Sequence, residues 1–229
     1  MHRSVLFDTE TTGLDPTEGH RVLEIAALEL VNDLPSGRYF HAEIDPERDI
    51  PEEASRIHGL TGERLAGKPK FAALAPALRE FLGDGPLIAH NAPFDFAFLN
   101  AEYARLGWPA LAPGRMIDTL AMAKQRFPGM PNSLDALCRR FSIDLSARAT
   151  HNALLDCRLL AEVYVELTGG RQRGLTLDDA AEPAQPVVYS YEYEARRRPR
   201  LIVPSEAEFA ANAVLLDQLK EPLWRDGTG

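Results

Sequence analysis

Two apolar rhythms divide this chain. Consecutive apolar positions at Val5-Leu6-Phe7 predict a strand over residues 3–9 that is buried on both faces, as in the middle of a sheet. Residues 22–31 (VLEIAALELV) and 38–44 predict two more strands, with Pro35, Ser36 and Gly37 marking the turn between them. Together these three suggest an antiparallel meander. From Pro51 onward the period lengthens. Phe71, Leu74 and Leu78, then Phe81-Leu82, form a helical stripe, and residues 93–106, 119–127, 133–141 and 152–168 also read as helices. One short apolar strand, Pro86-Leu87-Ile88-Ala89, falls among them. Strands first and helices afterward suit a three-layer α/β/α domain with a mixed central sheet over residues 1–170.

After that domain the pattern dissolves. Gly169-Gly170 reads as a C-cap closing the last helix. Residues 171–200 lose periodicity and gather Pro, Gln, Glu and Arg, the composition of a flexible linker. In residues 201–229, Ser205-Glu206-Ala207-Glu208 has capping-box spacing, and Phe209, Ala213, Leu216 and Leu219 follow at helical intervals. Such a helix is too short to bury its stripe alone. It is expected to dock on a partner, with Leu223-Trp224 as an anchor of the kind that dominates interfaces.

Candidate chemistry lies in three segments. Asp8 and Glu10 are two apart, so a strand puts both carboxylates on one face, at the C-terminal end where open α/β sheets bind ligands. Thr11-Thr12-Gly13 then turns the chain, with Gly13 expected to supply backbone freedom. Asp95 follows the short strand, with Asn91 expected as N-cap and Pro93 in the first helical turn. His151 and Asp156, five apart, fit a histidine in an entry loop and a carboxylate inside the helix. Four carboxylates and one imidazole suit two hard cations, Mg²⁺ or Mn²⁺, roughly 3.5–4 Å apart across a phosphodiester. On this arrangement Asp8 bridges, Glu10 and Asp156 complete one ion site, and Asp95 holds the other. His151 serves as general base, since an unperturbed histidine titrates near ~6.5.

Charge and composition limit the partners. The 229 residues carry a net charge of −9, and residues 1–170 hold 17 Lys and Arg against 24 Asp and Glu. Phosphate-backbone affinity comes mainly from basic side chains. The isolated chain is therefore expected to act weakly and distributively on any phosphodiester strand, even with bound cations offsetting part of its acidic site. No apolar run approaches the roughly 20 residues of a membrane span. Met1-His2-Arg3-Ser4 leads straight into the first predicted strand, so no signal peptide is expected. Cys138 and Cys157 sit in helical patterns and read as reduced core residues, so a cytoplasmic location without a membrane partner is expected.

Several strings also carry a family resemblance: DTETTG (8–13), IHGL (57–60), HNAPFD (90–95), DTL (118–120), FPG (127–129), NSLDALC (132–138), ALLD (153–156), AEVY (161–164) and TGG (168–170). From Val5 to about Gly170 the chain resembles the DEDD-type 3′–5′ exonucleases with a histidine base. It is most similar to the DnaQ-like proofreading (epsilon) subunits of bacterial DNA polymerase III. The resemblance implies a ribonuclease H-like fold, with Asp8, Glu10, Asp95 and Asp156 as metal ligands and His151 as general base. It also implies that Thr11, Thr12, Gly13 and Leu14 hold the terminal nucleotide, with Ile57, His58 and Asn91 nearby. The implied activity removes mispaired nucleotides from DNA 3′ ends and releases nucleoside 5′-monophosphates. The implied partners are the polymerase III alpha subunit, met through Phe209, Leu216, Leu219 and Trp224, and a further small core subunit. Residues 172–177 (QRGLTL) resemble the hexapeptide that binds the sliding clamp, which would use Gln172, Leu175 and Leu177. An RNA-trimming exonuclease and a non-catalytic stabilising subunit are the rival readings.

Overall fold

Five strands form a single sheet in the order β3-β2-β1-β4-β5 in the computed structural model, which describes residues 2–146, 151–169 and 204–218. The strands are β1 (Arg3–Thr11), β2 (Val22–Val31), β3 (Leu34–Glu43), β4 (Leu87–Ala89) and β5 (Met116–Asp118). β1, β2 and β3 pair antiparallel, while β4 runs parallel to both β1 and β5, so the sheet is mixed as expected. The helices are α1 (Glu52–His58), α2 (Gly62–Leu65), α3 (Phe71–Leu82), α4 (Ala92–Arg105), α5 (Thr119–Arg126), α6 (Leu134–Arg140), α7 (Ala153–Leu167) and α8 (Glu206–Gln218).

Strand alternation sorts the core into two faces. Val5 and Phe7 of β1 pack with Leu78 of α3 and Phe96 and Leu99 of α4. Leu6 of β1 and Ala26 of β2 pack on the opposite face with Leu137 of α6 and Leu160 and Val163 of α7. This is the three-layer α/β/α arrangement, and it explains why the β1 and β2 sequences are apolar at consecutive positions. Asp8 shares Leu6's face and so looks toward α7. Cys138 and Cys157 are buried and unbridged, and the Cys157 thiol donates to Ala26 O.

Two turn assignments need correction. The β2–β3 turn is Asn32-Asp33, with φ of 51° and 66°, and β3 begins at Leu34 rather than at residue 38. Positive φ at both central residues matches the right-handed twist of a hairpin, and Asn and Asp tolerate it. Gly37, at φ 90°, lies inside β3, where the β2–β3 register slips between Leu28 and Leu30. At the end of α7 the cap is Thr168, followed by Gly169 at φ 122°; Gly170 is outside the described residues. β5 was not anticipated. Three residues carry too little periodicity to register, and its place is fixed by pairing with β4.

The contact pattern divides the chain into Met1–Thr176 and Leu177–Gly229. In the second unit α8 forms with the expected capping box. Ser205 N–H donates to Glu208 Oε2 at 2.8 Å, and Glu208 N–H donates to Ser205 Oγ at 3.3 Å. No residue of α8 is buried. Gln172, Leu175, Leu177, Leu219, Leu223 and Trp224, with the linker 171–200, lie outside the described residues. Among the described residues no helix is long and apolar enough to cross a membrane.

Candidate active site

The C-terminal ends of β1 and β4 open on the same edge of the sheet because the two strands are parallel. Two helices begin there. Asp95 lies in the first turn of α4 and Asp156 in the first turn of α7, where the positive helix ends favour negative charge. Asp95 is 2% exposed, and its Oδ1 accepts from Thr9 N–H at 3.1 Å and from the Thr9 hydroxyl at 2.7 Å. Thr9 points to the α4 face while Asp8 and Glu10 point to the α7 face, so one short stretch of strand reaches both helices.

His151 precedes Asn152, the N-cap of α7, as the five-residue spacing predicts. Its Nδ1 lies 3.3 Å from Asp156 Oδ2, and its backbone N–H donates to Ile57 O at 3.2 Å. The loop histidine is thus tethered to the end of α1. Donor atoms of Glu10, His151 and Asp156 all lie within 4.8 Å of one another. Asp8, His151 and Asp156 line one cleft of about 580 Å³, together with His90, Leu120 and Ser133.

Electrostatics tie the carboxylates into one group. Asp8 keeps part of its surface open to the cleft while protein surrounds it. Burial, then the charges of Asp95, Glu10, Asp156 and Glu24, push its pKa well above 3.8. Burial pushes Asp95 up to about 7, against the opposing effect of its Thr9 hydrogen bonds. Glu10 and Asp156, whose oxygens approach each other and His151, with the desolvated Asp8 beside them, fit a hard divalent cation, which would replace repulsion with attraction; Asp95 stands outside that close group, hydrogen-bonded to Thr9.

The other expected residues divide by availability. Leu14 is 85% exposed and Ile57 is 54% exposed, so both present open apolar surface. Thr11 and Thr12 are buried and committed. Thr11 Oγ1 donates to Gly13 O, while Thr12 Oγ1 pairs with His20 Nδ1 and accepts from Arg21 N–H. Gly13 is needed for space rather than for an unusual φ: a Cβ there would meet the His20 ring at 2.3 Å. His58 is buried, its Nδ1 accepts from Leu60 N–H, and burial lowers its pKa.

Asn91 does not cap α4 with its side chain. It sits in the left-handed region at φ 68°, and Asp118 Oδ1 accepts from Asn91 N–H, Ala92 N–H and Leu120 N–H. Asp118 therefore caps both α4 and α5, a role with no local signal at Asn91. Glu24 was missed as well. It is 1% exposed and lies opposite Glu10 across β1 and β2. Its only trace in the sequence is a charge inside a mainly apolar strand, which carries Glu29 as well.

A converging set of carboxylates beside an imidazole, at the ligand-binding edge of an α/β sheet, is the equipment of a metal-assisted phosphodiester hydrolase. The family model described as exonuclease (RNase_T) matches residues 5–164. DNA polymerase III subunit epsilon of Rickettsia felis is 53% identical over 180 residues, which cover 77% of this chain and 79% of that protein. The Escherichia coli K12 subunit of the same name is 36% identical over 237 residues, covering 97% of each chain. Among solved structures, exonuclease X in complex with 5′-overhanging duplex DNA superposes with a TM-score of 0.58 at 27% identity. The match covers 73% of this chain and 91% of that one. Escherichia coli exonuclease I with a dT13 oligonucleotide gives a TM-score of 0.64 at 18% identity over 74% of this chain and 41% of its own, a likeness of fold alone. The chain belongs to the exonuclease family, in its DNA polymerase III epsilon branch. It is a DNA exonuclease with a proofreading role on a ribonuclease H-like fold.

Proposed function

We propose that Asp8, Glu10, Asp95 and Asp156 hold two divalent cations, Mg²⁺ or Mn²⁺, and that His151 is the general base of 3′-end hydrolysis. The observation that carries this reading is the approach of the Glu10, His151 and Asp156 donor atoms to within 4.8 Å of one another, beside Asp8. When bound, the cations supply Lewis-acid polarisation of the phosphate and activation of water. His151, exposed at the cleft rim, takes the proton of the attacking water, while Asp156 orients the imidazole. Leu14 and Ile57 offer apolar surface to the last base, and Thr11, Thr12 and Gly13 set the turn that presents Leu14. His58, packed behind that turn with Nδ1 accepting from Leu60 N–H, helps to shape the pocket for the nucleotide. Asn91 contributes through its backbone.

Mispaired ends fray at lower cost than paired ones, so a site that accepts single strands selects them. Residues 1–170 act as the catalytic domain, and residues 201–229 dock on the polymerase III alpha subunit. The exposed Phe209 of α8 supports that docking. The linker 171–200 carries the clamp-binding hexapeptide, and a further small core subunit completes the assembly.

The test is release of nucleotides from a 3′-labelled strand, paired or mispaired, in Mg²⁺. Asp8→Ala and Asp156→Ala are expected to abolish release while the fold is retained. His151→Ala should lose about 10²–10⁴-fold in rate, the usual contribution of a positioned base. Undiminished turnover in Asp156→Ala refutes the metal assignment, and an unchanged His151→Ala rate near pH 7 refutes the base.

A further inference from the structure

One buried carboxylate at the edge of the candidate site has no part in it so far. Glu24 of β2 lies on the α7 face with Ala26 and Leu28, and those two neighbours pack α7 with apolar atoms. A carboxylate at the same depth is costly unless fully hydrogen-bonded. Glu24 is fully engaged. Oε1 accepts from Asn152 Nδ2 at 2.9 Å and faces His41 Nε2 at 2.6 Å, and Oε2 accepts from Ala153 N–H at 3.2 Å. These partners come from β3, from the residue after His151, and from the first residue of α7.

We propose that Glu24 is a positioning residue for hydrolysis: its carboxylate clamps the start of α7 to β2 and so fixes where His151 and Asp156 stand over Asp8 and Glu10. An apolar contact at this place would hold α7 against the sheet but leave its rotation and rise free. Two fixed acceptors, one for the Asn152 amide and one for the Ala153 N–H, remove both freedoms. Asn152 Oδ1 meanwhile caps the helix through Leu155 N–H, and Asn152 O accepts from Asp156 N–H. The clamp therefore reaches Asp156 through a single residue. His41, on the partly exposed side, holds the carboxylate from β3. A displacement near 1 Å at a reacting group can cost about 10²-fold in rate, so control of helix position is control of rate. The inference rests on the reading that His151 and Asp156 act in the reaction.

The experiment uses the full chain and a 3′-labelled single strand. Glu24→Gln keeps the shape but presents an amide to three donors. Asn152→Asp keeps the oxygen that caps α7 and replaces the donor facing Glu24 with a second oxygen. With melting temperature and near-UV dichroism close to the parent's, each variant is expected to lose about 10–100-fold in kcat, the usual effect of a group supporting a ligand. KM for DNA should stay within twofold, and the Mg²⁺ concentration for half-maximal rate should rise. Rates within twofold of the parent in both variants overturn the proposal, as does a loss carried by KM alone. If Glu24→Gln does not fold, Asn152→Asp decides by the same criteria. His151→Ala run in parallel separates the two ideas. An active His151→Ala sinks the site assignment, whereas an inactive one beside Glu24→Gln and Asn152→Asp that both stay within twofold of the parent sinks only the clamp.

Discussion

Removing the Asp118 side chain should strip two helices of their caps at once. Its Oδ1 accepts from Asn91 N–H at 3.0 Å, Ala92 N–H at 3.3 Å and Leu120 N–H at 3.0 Å. Each helix N-terminus otherwise leaves these donors without a partner. Losing a cap costs typically about 1 kcal/mol, so Asp118→Ala should destabilise the domain by about 2 kcal/mol. For a domain of this size that corresponds to a fall in melting temperature of roughly 4–8 °C. Asn91 adds to the effect, since its left-handed backbone (φ 68°) is held by the same oxygen. Asp118→Asn, which keeps an acceptor but not the charge, should lose about half as much. Because α4 carries Asp95 in its first turn, the Ala variant should also lose exonuclease rate at 25 °C, where it remains folded. Thermal unfolding followed by circular dichroism, with the rate assayed on the same samples, reads both effects. A melting temperature within 1 °C of the parent's would refute the double-cap argument.

Three further outcomes follow from the same geometry. Gly13→Ala places a Cβ at 2.3 Å from the His20 ring, an overpacking that should cost about 1–3 kcal/mol in urea unfolding. Adding His20→Ala should recover most of that loss, and an unaffected single variant would refute the steric account. In metal-free protein, Asp95 is raised from 3.8 to about 7. The folded state then holds a proton that the unfolded chain has released, so this contribution is full below about pH 4 and lost as pH rises through 7. Melting temperatures in EDTA should therefore fall between pH 5 and 8 relative to Asp95→Asn, and Mg²⁺ should restore more stability at pH 8 than at pH 5; parallel curves would contradict this. Polymerase capture by the full chain but not by residues 1–170 is the expected result for the tail, and equal capture would remove its docking role.

What the sequence revealed depended on how local each signal was. Asp8 and Glu10 could be placed because period-2 alternation fixes which face a strand residue occupies, and the consecutive apolar run marked β1 as central. The five-residue interval from His151 to Asp156 was enough to put one in a loop and the other in a helix. The β2–β3 turn was misplaced because Pro35, Ser36 and Gly37 carry strong turn chemistry. In the structure Gly37 serves a register slip instead, and the less conspicuous Asn32-Asp33 makes the turn. Asn91 looked like a cap because it precedes a helix, but its capping oxygen comes from Asp118, 27 residues later. Glu24 fell from view for a similar reason. Its hydrogen-bond partner Asn152 is 128 residues away, and no local pattern announces a long-range clamp.

The site's acidity raises the question of how a folded domain keeps so many carboxylates close together. Asp95 is held by two Thr9 donors, and Glu24 by groups from β3 and the start of α7. Asp156 lies in the first turn of a helix whose positive end favours its charge. Asp8 is where the opposition concentrates: burial and four neighbouring acidic groups all push its pKa upward. Burial and like charge thus favour the protonated form of Asp8 more than that of a free carboxylate, in the place where a cation would do the most electrostatic good. A cation held there would favour the ionised carboxylates, so under the proposed metal assignment metal affinity should rise with pH. Bound cations would thus offset the acidic charge at the site itself, though not the negative charge spread over the rest of the chain. Under the proposed metal assignment the carboxylates would repel the phosphate only until cations are bound, and engagement of the strand would be conditional on a loaded site.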